Sequence, residues 1–348
     1  MKPLFFFRFV AALLLCAVGP ALCQGQAGQP FYKGRAITIV VPTSPGGIND
    51  LAARLVARHL GRFIPGNPAM VVENVPGGAG IIAANRLANT IAKDGLTIAI
   101  IQRGTPQVQI EGDPNAKFDP LKLTWLGSLS SYASDAFILV VNSQNPIKSA
   151  IELRTPGVRL KVGADTPGST NLIFALLAKE VLGLNIDVVR GYNGAGPIFI
   201  AMQGGELDAQ VIGFNSLRAG QTYLWDNKLV RPLIQFGRDT RLSTLPDIPT
   251  GRELTSDPNS LAIIEFAELP FFMALPFVAP PDLPPERAAA LQNGFMDMVK
   301  DQAFLEDAGK INLDISPIDG EAVRKLIAQA AATPKDVIEH YKQIVGAQ

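Results

Sequence analysis

The chain has 348 residues and equal numbers of basic and acidic side chains, 31 of each, so its formal net charge is zero. This length is comfortable for two domains, each with its own core. Because the chain is neutral and has no basic stripe interleaved with aromatic residues, nucleic acid is not expected as a partner.

The first 23 residues predict a secretory signal peptide. Lys2 and Arg8 flank a short apolar segment, Phe9 to Leu22, which ends near small residues. About 14 apolar residues fall short of the roughly 20 that a membrane-spanning helix needs, which favours a signal peptide over an anchor. Cys16 and Cys23 each follow a leucine, an arrangement that does not favour lipid attachment. The mature protein is therefore expected in the periplasm, without any thiol.

The stretch from Ile37 to Asp50 combines a predicted strand, a glycine turn and a helix start. Ile37 to Val41 is a β-branched apolar run that is typical of a strand covered on both faces. Pro45 to Gly47 permits a sharp reversal, and Asn49 or Asp50 is expected to cap the helix that follows. A free helix N-terminus after a glycine turn predicts a site for an anion.

Two later stretches use the same device. Ala69 to Val75 predicts a strand, which leads into a turn, Pro76 to Gly80, at a spacing of 31 residues from the first unit. Leu160 to Ala164 predicts another strand, which leads into a third turn, Asp165 to Asn171. Right-handed crossovers place the first two helices at the same edge of a parallel sheet. Since glycine turns recur in many βαβ proteins, the echo alone does not establish an internal repeat.

Arg103 follows a third predicted buried strand, Leu96 to Ile101. Open α/β sheets bind ligands at the carboxyl ends of their strands, and an arginine there suits a carboxylate. The alternative is a solvated loop arginine, and the sequence leaves both interpretations open.

The rest of the chain alternates predicted strands and helices. Five more strands are predicted over Trp125 to Leu129, Phe137 to Val141, Ile186 to Val189, Gln210 to Gly213 and Leu233 to Gly237. The segment Ser256 to Pro280 is predicted as buried loop and strand. One helix is expected from Arg287 to about Phe304, and another from Gly320 to Ile344 with a break at Pro334. A stripe at helical spacing predicts core packing for Leu291, Phe295, Met298 and Leu305.

The sequence lacks the residue patterns that several catalytic and cofactor-binding chemistries require. His59 and His340 lie in predicted helices away from the glycine turns, so no base is placed for a Ser-His-Asp arrangement. No cluster of histidine and cysteine predicts a metal, no phosphate-binding loop is present, and no cofactor is expected. The basic residues Arg54, Arg58 and Arg62 are interpreted as the solvated face of a helix.

What remains is binding chemistry suited to a carboxylate. Backbone amides at the helix starts, together with hydroxyl, amide and guanidinium side chains, offer several weak contacts that add up. The alternative from another class is a secreted α/β enzyme that uses Asp50 or Asp208 as an acid or base. For both aspartates, a cap or turn role is the competing interpretation.

A set of short motifs resembles one transport family, the extracytoplasmic solute receptors of the tripartite tricarboxylate transporters, or Bug family of periplasmic binding proteins. The motifs are Ile37 to Pro42 with Pro45 to Gly47 and Asp50, Val71 to Asn74 with Pro76 to Gly80, Asp94-Gly95, Gly168-Ser169, Gly204 to Asp208, and Leu245 to Thr250. The resemblance covers nearly the whole mature chain.

The resemblance implies an α/β fold of two lobes, similar to type II periplasmic binding proteins, with a ligand cleft between them. Lobe 1 would span residues 30–127 plus 236–348, and lobe 2 residues 128–235. Such a receptor is not an enzyme; as a monomer, it binds a small carboxylate and delivers it to membrane transporter subunits. The family grips the carboxylate with the loops carrying Pro45 to Gly47 and Gly168-Ser169.

The candidate ligand-binding residues are thus Thr43, Ser44, Gly46, Gly47, Asn49, Asp50, Gly78, Arg103, Thr105, Thr166, Gly168, Ser169, Thr170, Asn171, Tyr192 and Asn215. The chain departs from the family pattern at Ile48-Asn49, at Asn171 and at Tyr192 to Gly194, and carries extra residues around Ser256 to Phe272. These departures indicate a ligand that differs from those of its relatives.

Overall fold

The computed structural model describes residues 29–346. Its strands are β1 (Ala36–Val41), β2 (Ala69–Asn74), β3 (Thr97–Ile100), β4 (Thr124–Ser128), β5 (Phe137–Asn142), β6 (Leu160–Gly163), β7 (Ile186–Val189), β8 (Ala209–Gly213), β9 (Val230–Phe236), β10 (Pro276–Ala279) and β11 (Ile318–Asp319). The predicted signal peptide, residues 1–23, lies outside the described residues.

The helices lie on both sheets and in the segments between them. They are α1 (Ile48–His59), α2 (Ile81–Asn89), α3 (Thr105–Ile110), α4 (Thr170–Leu176), α5 (Ala195–Gln203), α6 (Phe214–Gly220), α7 (Thr222–Asp226), α8 (Pro258–Glu268), α9 (Pro285–Met298), α10 (Gln302–Lys310), α11 (Gly320–Ala331) and α12 (Lys335–Gly346). Across residues 29–346, no helix is both long enough and apolar enough to cross a membrane.

The first sheet has the strand order β11-β4-β10-β3-β1-β2. β1 pairs in parallel with β2 and with β3, so all three end at one edge of the sheet. The first two glycine turns and the segment carrying Arg103 therefore leave from that edge, as the sequence predicts. Its core is built from Ile37, Ile39 and Val41 of β1, which are fully buried as expected for a strand covered on both faces.

The second sheet has the strand order β7-β6-β8-β5-β9. β6 pairs in parallel with β7 and β8, whereas β5 is antiparallel to both β8 and β9. The third glycine turn follows β6 and leads into α4. Each of the three predicted strand-turn-helix units is thus present.

Two segments connect the sheets. The first crossing, residues 129–136, joins β4 to β5, and the second crossing, residues 237–275, joins β9 to β10. This is the two-lobed α/β architecture that the sequence predicts. α8 and α12 pack into the hydrophobic core of the second sheet through Ile263, Ile264, Val337 and Tyr341. The boundaries 30–127 plus 236–348 and 128–235 stay a prediction, since shared packing does not show which lobe moves with a helix.

Several predicted elements are wrong in detail. The segment Ser256 to Pro280 contains α8 as well as strand β10, because Asp257 caps the helix by accepting the Ser260 N–H at 2.8 Å. The helix predicted from Arg287 to Phe304 is two helices, with Asp301 capping the second at the Phe304 N–H. Leu305, which is expected in the core, is 37% exposed.

The break predicted at Pro334 is confirmed, since it separates α11 from α12.

The first helix is capped differently from the prediction. α1 begins at Ile48 with Gly47 in the cap position, so neither Asn49 nor Asp50 caps it. Asp50 lies within the first turn of α1, and its Oδ2 accepts the N–H of Gly46 at 2.9 Å. The carboxylate therefore folds the glycine turn back onto the helix.

Candidate functional site

A cleft of about 1020 Å³ lies between the two sheets. It is lined by the start of α1, the segment after β3, both crossings, the start of α4, α6, the loop after α10, and α12. The polar and charged residues among its walls are Asn49, Gln102, Arg103, Gln107, Ser130, Tyr132, Asp135, Thr170, Asn215, Ser216, Arg218, Asn312, Asp314 and Tyr341. Both sheets and both crossings thus contribute groups to one cleft.

Arg103 reaches across this cleft from the first sheet to the second. Its Nη2 donates to Thr170 Oγ1 at 3.3 Å. The centre of the guanidinium lies 4.2 Å from the ring centroid of Phe271 and 5.7 Å from that of Tyr132. Within residues 29–346, no acidic side chain forms a salt bridge with it. Stacking on aromatic rings holds the cation in place, and most of its donors remain available for an anion.

Phe271 lies at the centre of an aromatic cluster that forms the floor under Arg103. Its ring centroid is 5.2 Å from that of Phe174, 5.4 Å from that of Phe137 and 5.4 Å from that of Tyr132. The cluster joins the second crossing to the first crossing, β5 and α4. An apolar portion of a ligand would contact this surface.

The first glycine turn is fixed by Asp50. Its Oδ2 accepts from Arg54 Nε at 2.9 Å, and its Oδ1 accepts from Asn74 Nδ2 at 2.9 Å. The hydrogen bond from Arg54 is the largest cause that holds the pKa of Asp50 down at about 2. Asn74 also donates to the Thr43 carbonyl at 2.9 Å, which ties the end of β2 to this turn. Asp50 is 2% exposed and does not line the cleft, so its contacts are those of a structural carboxylate.

The second and third turns are also held by internal contacts. Gly80 has φ +89°, and a Cβ there would lie 3.0 Å from Thr105 Oγ1. In the third turn, Asn171 Oδ1 accepts from Ser169 Oγ at 2.7 Å. Tyr192 lies beside the third turn, since its N–H donates to the Ala164 carbonyl at 3.3 Å, and its hydroxyl donates to Glu206 Oε1 at 3.2 Å.

The structure brings five of the candidate residues into the walls of the cleft: Asn49, Arg103, Gly168, Thr170 and Asn215. The others do not line it: Thr43, Ser44, Gly46, Gly47, Asp50, Gly78, Thr105, Thr166, Ser169, Asn171 and Tyr192. The part that any of the candidate residues takes in binding stays a prediction.

The two crossings supply cleft residues that sequence reasoning missed. On the first crossing, Ser130 donates to Asp314 Oδ2 at 2.7 Å, and Ser134 also donates to this carboxylate. Ser316 donates to the same Oδ2 at 2.8 Å. Asp314 is therefore occupied by three hydroxyls that join the crossing to the loop after α10. No local motif signals this network, because its members are far apart in sequence.

The two carboxylates of the enzyme alternative are both engaged in the fold. Asp208 Oδ2 accepts the Lys161 N–H at 2.8 Å, and its Oδ1 accepts from Asn145 Nδ2 at 3.3 Å. It lies at the start of β8, outside the cleft. In the part of the chain that the structure describes, no group of acidic, histidine or cysteine residues is arranged to hold a metal ion.

Known proteins resemble this chain along most of its length. It is 25% identical over 342 residues to the "UPF0065 protein in gbd 5'region" of Cupriavidus necator, covering 96% of each chain. A ligand-free TctC solute binding protein from Polaromonas superposes with a TM-score of 0.70 at 19% identity, covering 89% of this chain and 99% of that one. A Rhodopseudomonas palustris protein solved with adipate gives a TM-score of 0.57 at 20% identity, covering 90% and 98%.

The family model described as "Tripartite tricarboxylate transporter family receptor" matches residues 52–342. These matches are to transport receptors, so the enzyme alternative with Asp50 or Asp208 is not supported. The chain belongs to the tripartite tricarboxylate transporter receptor family.

Proposed function

We propose that this receptor captures a small organic carboxylate in the cleft between its two sheets and presents it to a membrane transporter. The observation that carries the proposal is Arg103, a cation in the cleft with no acidic partner among residues 29–346. A partly buried guanidinium stacked on aromatic rings is a strong recognition group for a carboxylate.

The affinity follows from a few contacts. A charge-assisted hydrogen bond contributes about 1.5–3 kcal/mol, and a micromolar site needs about 8 kcal/mol. A bidentate contact from Arg103, the Thr170 hydroxyl, and backbone amides near Asn49 and Gly168 together reach that range. The adipate held by the Rhodopseudomonas palustris protein supports a carboxylate as the ligand class.

Closure of the two lobes would complete the site. Arg103 belongs to the first sheet and Thr170 to the second, and they meet at 3.3 Å in this structure. A ligand that contacts both residues favours the closed arrangement, which is the form a transporter would recognise. The two crossings act as the hinge. The lobe boundaries 30–127 plus 236–348 and 128–235 remain a prediction within this proposal.

The receptor acts in the periplasm as a monomer, exported through the signal peptide predicted over residues 1–23. Edman sequencing of the protein recovered from a periplasmic fraction tests this part: a mature N-terminus close to residue 24 is expected. An intact Met1 in that fraction would contradict it.

Titration calorimetry and thermal shift with mono-, di- and tricarboxylates test the ligand class. We expect a thermal midpoint that rises with ligand concentration and no consumption of the ligand. Arg103→Met should weaken binding by about tenfold or more, which corresponds to one charge-assisted contact. Arg324→Met, which alters an exposed arginine on α11, is the matched control and should leave affinity unchanged. Equal affinity of the wild type and Arg103→Met would refute the role of Arg103.

A further inference from the structure

Among residues 29–346, the cleft carries a carboxylate, Asp135, and an enclosed guanidinium, Arg103, that form no salt bridge. Its charged residues are Arg103, Asp135, Arg218 and Asp314. Asp314 is already occupied by the hydroxyls of Ser130, Ser134 and Ser316. Arg218 is exposed on α6, with its guanidinium 5.5 Å from the Phe214 ring. Within residues 29–346, neither Arg103 nor Asp135 forms a salt bridge, and Arg103 is the more enclosed of the two arginines.

Asp135 uses only one of its carboxylate oxygens within residues 29–346. Its Oδ1 accepts the N–H of Ala136 at 2.8 Å and the N–H of Asn215 at 3.0 Å, so it caps the start of α6. No hydrogen bond or salt bridge within the described chain occupies its Oδ2. The cap accounts for Oδ1, while Asp135 as a residue lines the cleft.

Arg238, the cation nearest to Asp135 along the crossings, forms no salt bridge with its carboxylate within residues 29–346. Arg238 Nη1 donates to the carbonyls of Tyr132 at 2.7 Å, Ala133 at 3.1 Å and Asp135 at 2.8 Å. Burial is the largest cause that raises the pKa of Asp135, and the charge of Asp314 raises it further, whereas the N–H groups of Asn215 and Ala136 and the charge of Arg238 oppose this effect only in part. The carboxylate is therefore only partly compensated by the protein itself.

This arrangement discriminates between kinds of acid. A plain dicarboxylate would bring a second negative charge towards a carboxylate that the protein compensates only in part, which is unfavourable. A ligand that carries an ammonium group would satisfy Oδ2 while its own carboxylate binds Arg103. The aromatic floor at Phe271 suits an apolar side chain on such a ligand.

We propose that the ligand is an α-amino acid, or another carboxylate with a cationic amine, whose carboxylate binds Arg103 and whose amine binds Asp135. The proposal rests on the carboxylate-receptor function and names its ligand class. It makes Asp135 a residue that determines specificity.

Matched ligand pairs test the proposal by titration calorimetry. Phenylalanine is compared with 3-phenylpropionate, leucine with 4-methylpentanoate, and glutamate with glutarate, each on the full mature protein. In at least one pair, we expect the amino member to bind about tenfold or more tightly than its deamino partner. This ratio in the wild type needs no variant and therefore does not depend on one folding.

Asp135→Asn sharpens the test, because Asn Oδ1 can still accept both N–H groups. The ratio should fall to about one or below, with weaker binding of the amino member and tighter binding of the deamino member. Asp239→Asn removes an exposed carboxylate from the second crossing, outside the cleft, and should leave the ratio unchanged.

Two results would overturn the proposal while keeping the receptor function. The wild type binds the deamino members as tightly as, or more tightly than, the amino members; or Asp135→Asn changes both members of a pair by the same factor. The second result would mean that Asp135 only caps α6. Absence of binding by any carboxylate, with or without an amine, would refute the receptor's ligand class as well.

Discussion

Replacing Arg252 by methionine should destabilise the protein strongly, because it leaves a buried carboxylate without its cationic partner. Glu268 is fully buried at the end of α8, and its Oε2 accepts from Arg252 Nε at 2.6 Å. Its Oε1 accepts the N–H of Gly237 at 2.9 Å, which joins α8 to the start of the second crossing. Breaking a buried ion pair by removing one partner costs about 3–5 kcal/mol.

The loss should depend on pH in a defined direction. Burial is the largest cause that raises the pKa of Glu268 from its ordinary value of 4.5 to about 7. Since the folded state holds this proton more tightly than the unfolded state, the group's contribution to stability falls as pH rises from about 4.5 to 7. Arg252→Met removes a group that favours the ionised form, so the penalty should be larger at pH 8 than at pH 5.

Urea unfolding at both pH values measures this effect, with Glu268→Gln as the matched variant. Glutamine can still accept the Gly237 N–H, and Arg252 keeps Glu265 at 3.5 Å, so this variant should lose only about 1–2 kcal/mol. In the Glu268→Gln background, Arg252→Met should cost much less than it does alone. A loss of under about 1 kcal/mol at pH 8, or equal losses at pH 5 and pH 8, would refute the reasoning.

Three further perturbations test other parts of the structure. Asp50→Asn should lower the free energy of unfolding by on the order of 1 kcal/mol at neutral pH, a modest loss because the partner Arg54 is half exposed. In acid unfolding curves, the difference from the wild type should shrink as pH falls from about 4 to 2. Gly80→Ala should cost about 1–2 kcal/mol in urea unfolding because of its φ of +89° and the nearby Thr105 hydroxyl, whereas Gly309→Ala, in α10 with open space around it, should be neutral or slightly stabilising. Arg238→Met should speed hydrogen exchange at the amides of residues 131–136, because it removes three hydrogen bonds between the crossings; unchanged exchange would show that these bonds do not hold the first crossing in place.

The sequence predicts the parts of the fold that short patterns encode. β1, β2 and β6 each end in a glycine turn and a helix as expected, because β-branched runs and Pro-Gly turns are local signals. The sequence does not reveal α8, because the apolar residues of this helix lie on several of its sides and the helical period is weak. Such a pattern suits a helix that is buried between α12 and the hydrophobic core of the second sheet. Its cap, Asp257, is the local signal that could have found it.

The candidate site was predicted where a strand end carries a distinctive residue, and missed where the fold brings distant segments together. Arg103 follows β3, so its position could be argued from the edge of the sheet. Asp135 and Phe271 lie on the two crossings, more than a hundred residues apart, and neither stands in a motif. They come to one cleft because the second crossing, which returns the chain to the first sheet, runs beside the first crossing.

The crossings therefore do more than connect the lobes. Tyr132 and Asp135 on the first crossing and Phe271 on the second form the floor of the cleft, while Arg238 ties these same segments to each other. In the proposed hinge motion, a ligand that contacts Asp135 also contacts the hinge, because this residue lies on the first crossing. Recognition and closure then share the same few residues. A substitution of Asp135 that changes the class of ligand should therefore alter the rate or extent of closure. A substitution in the glycine turns should alter affinity alone.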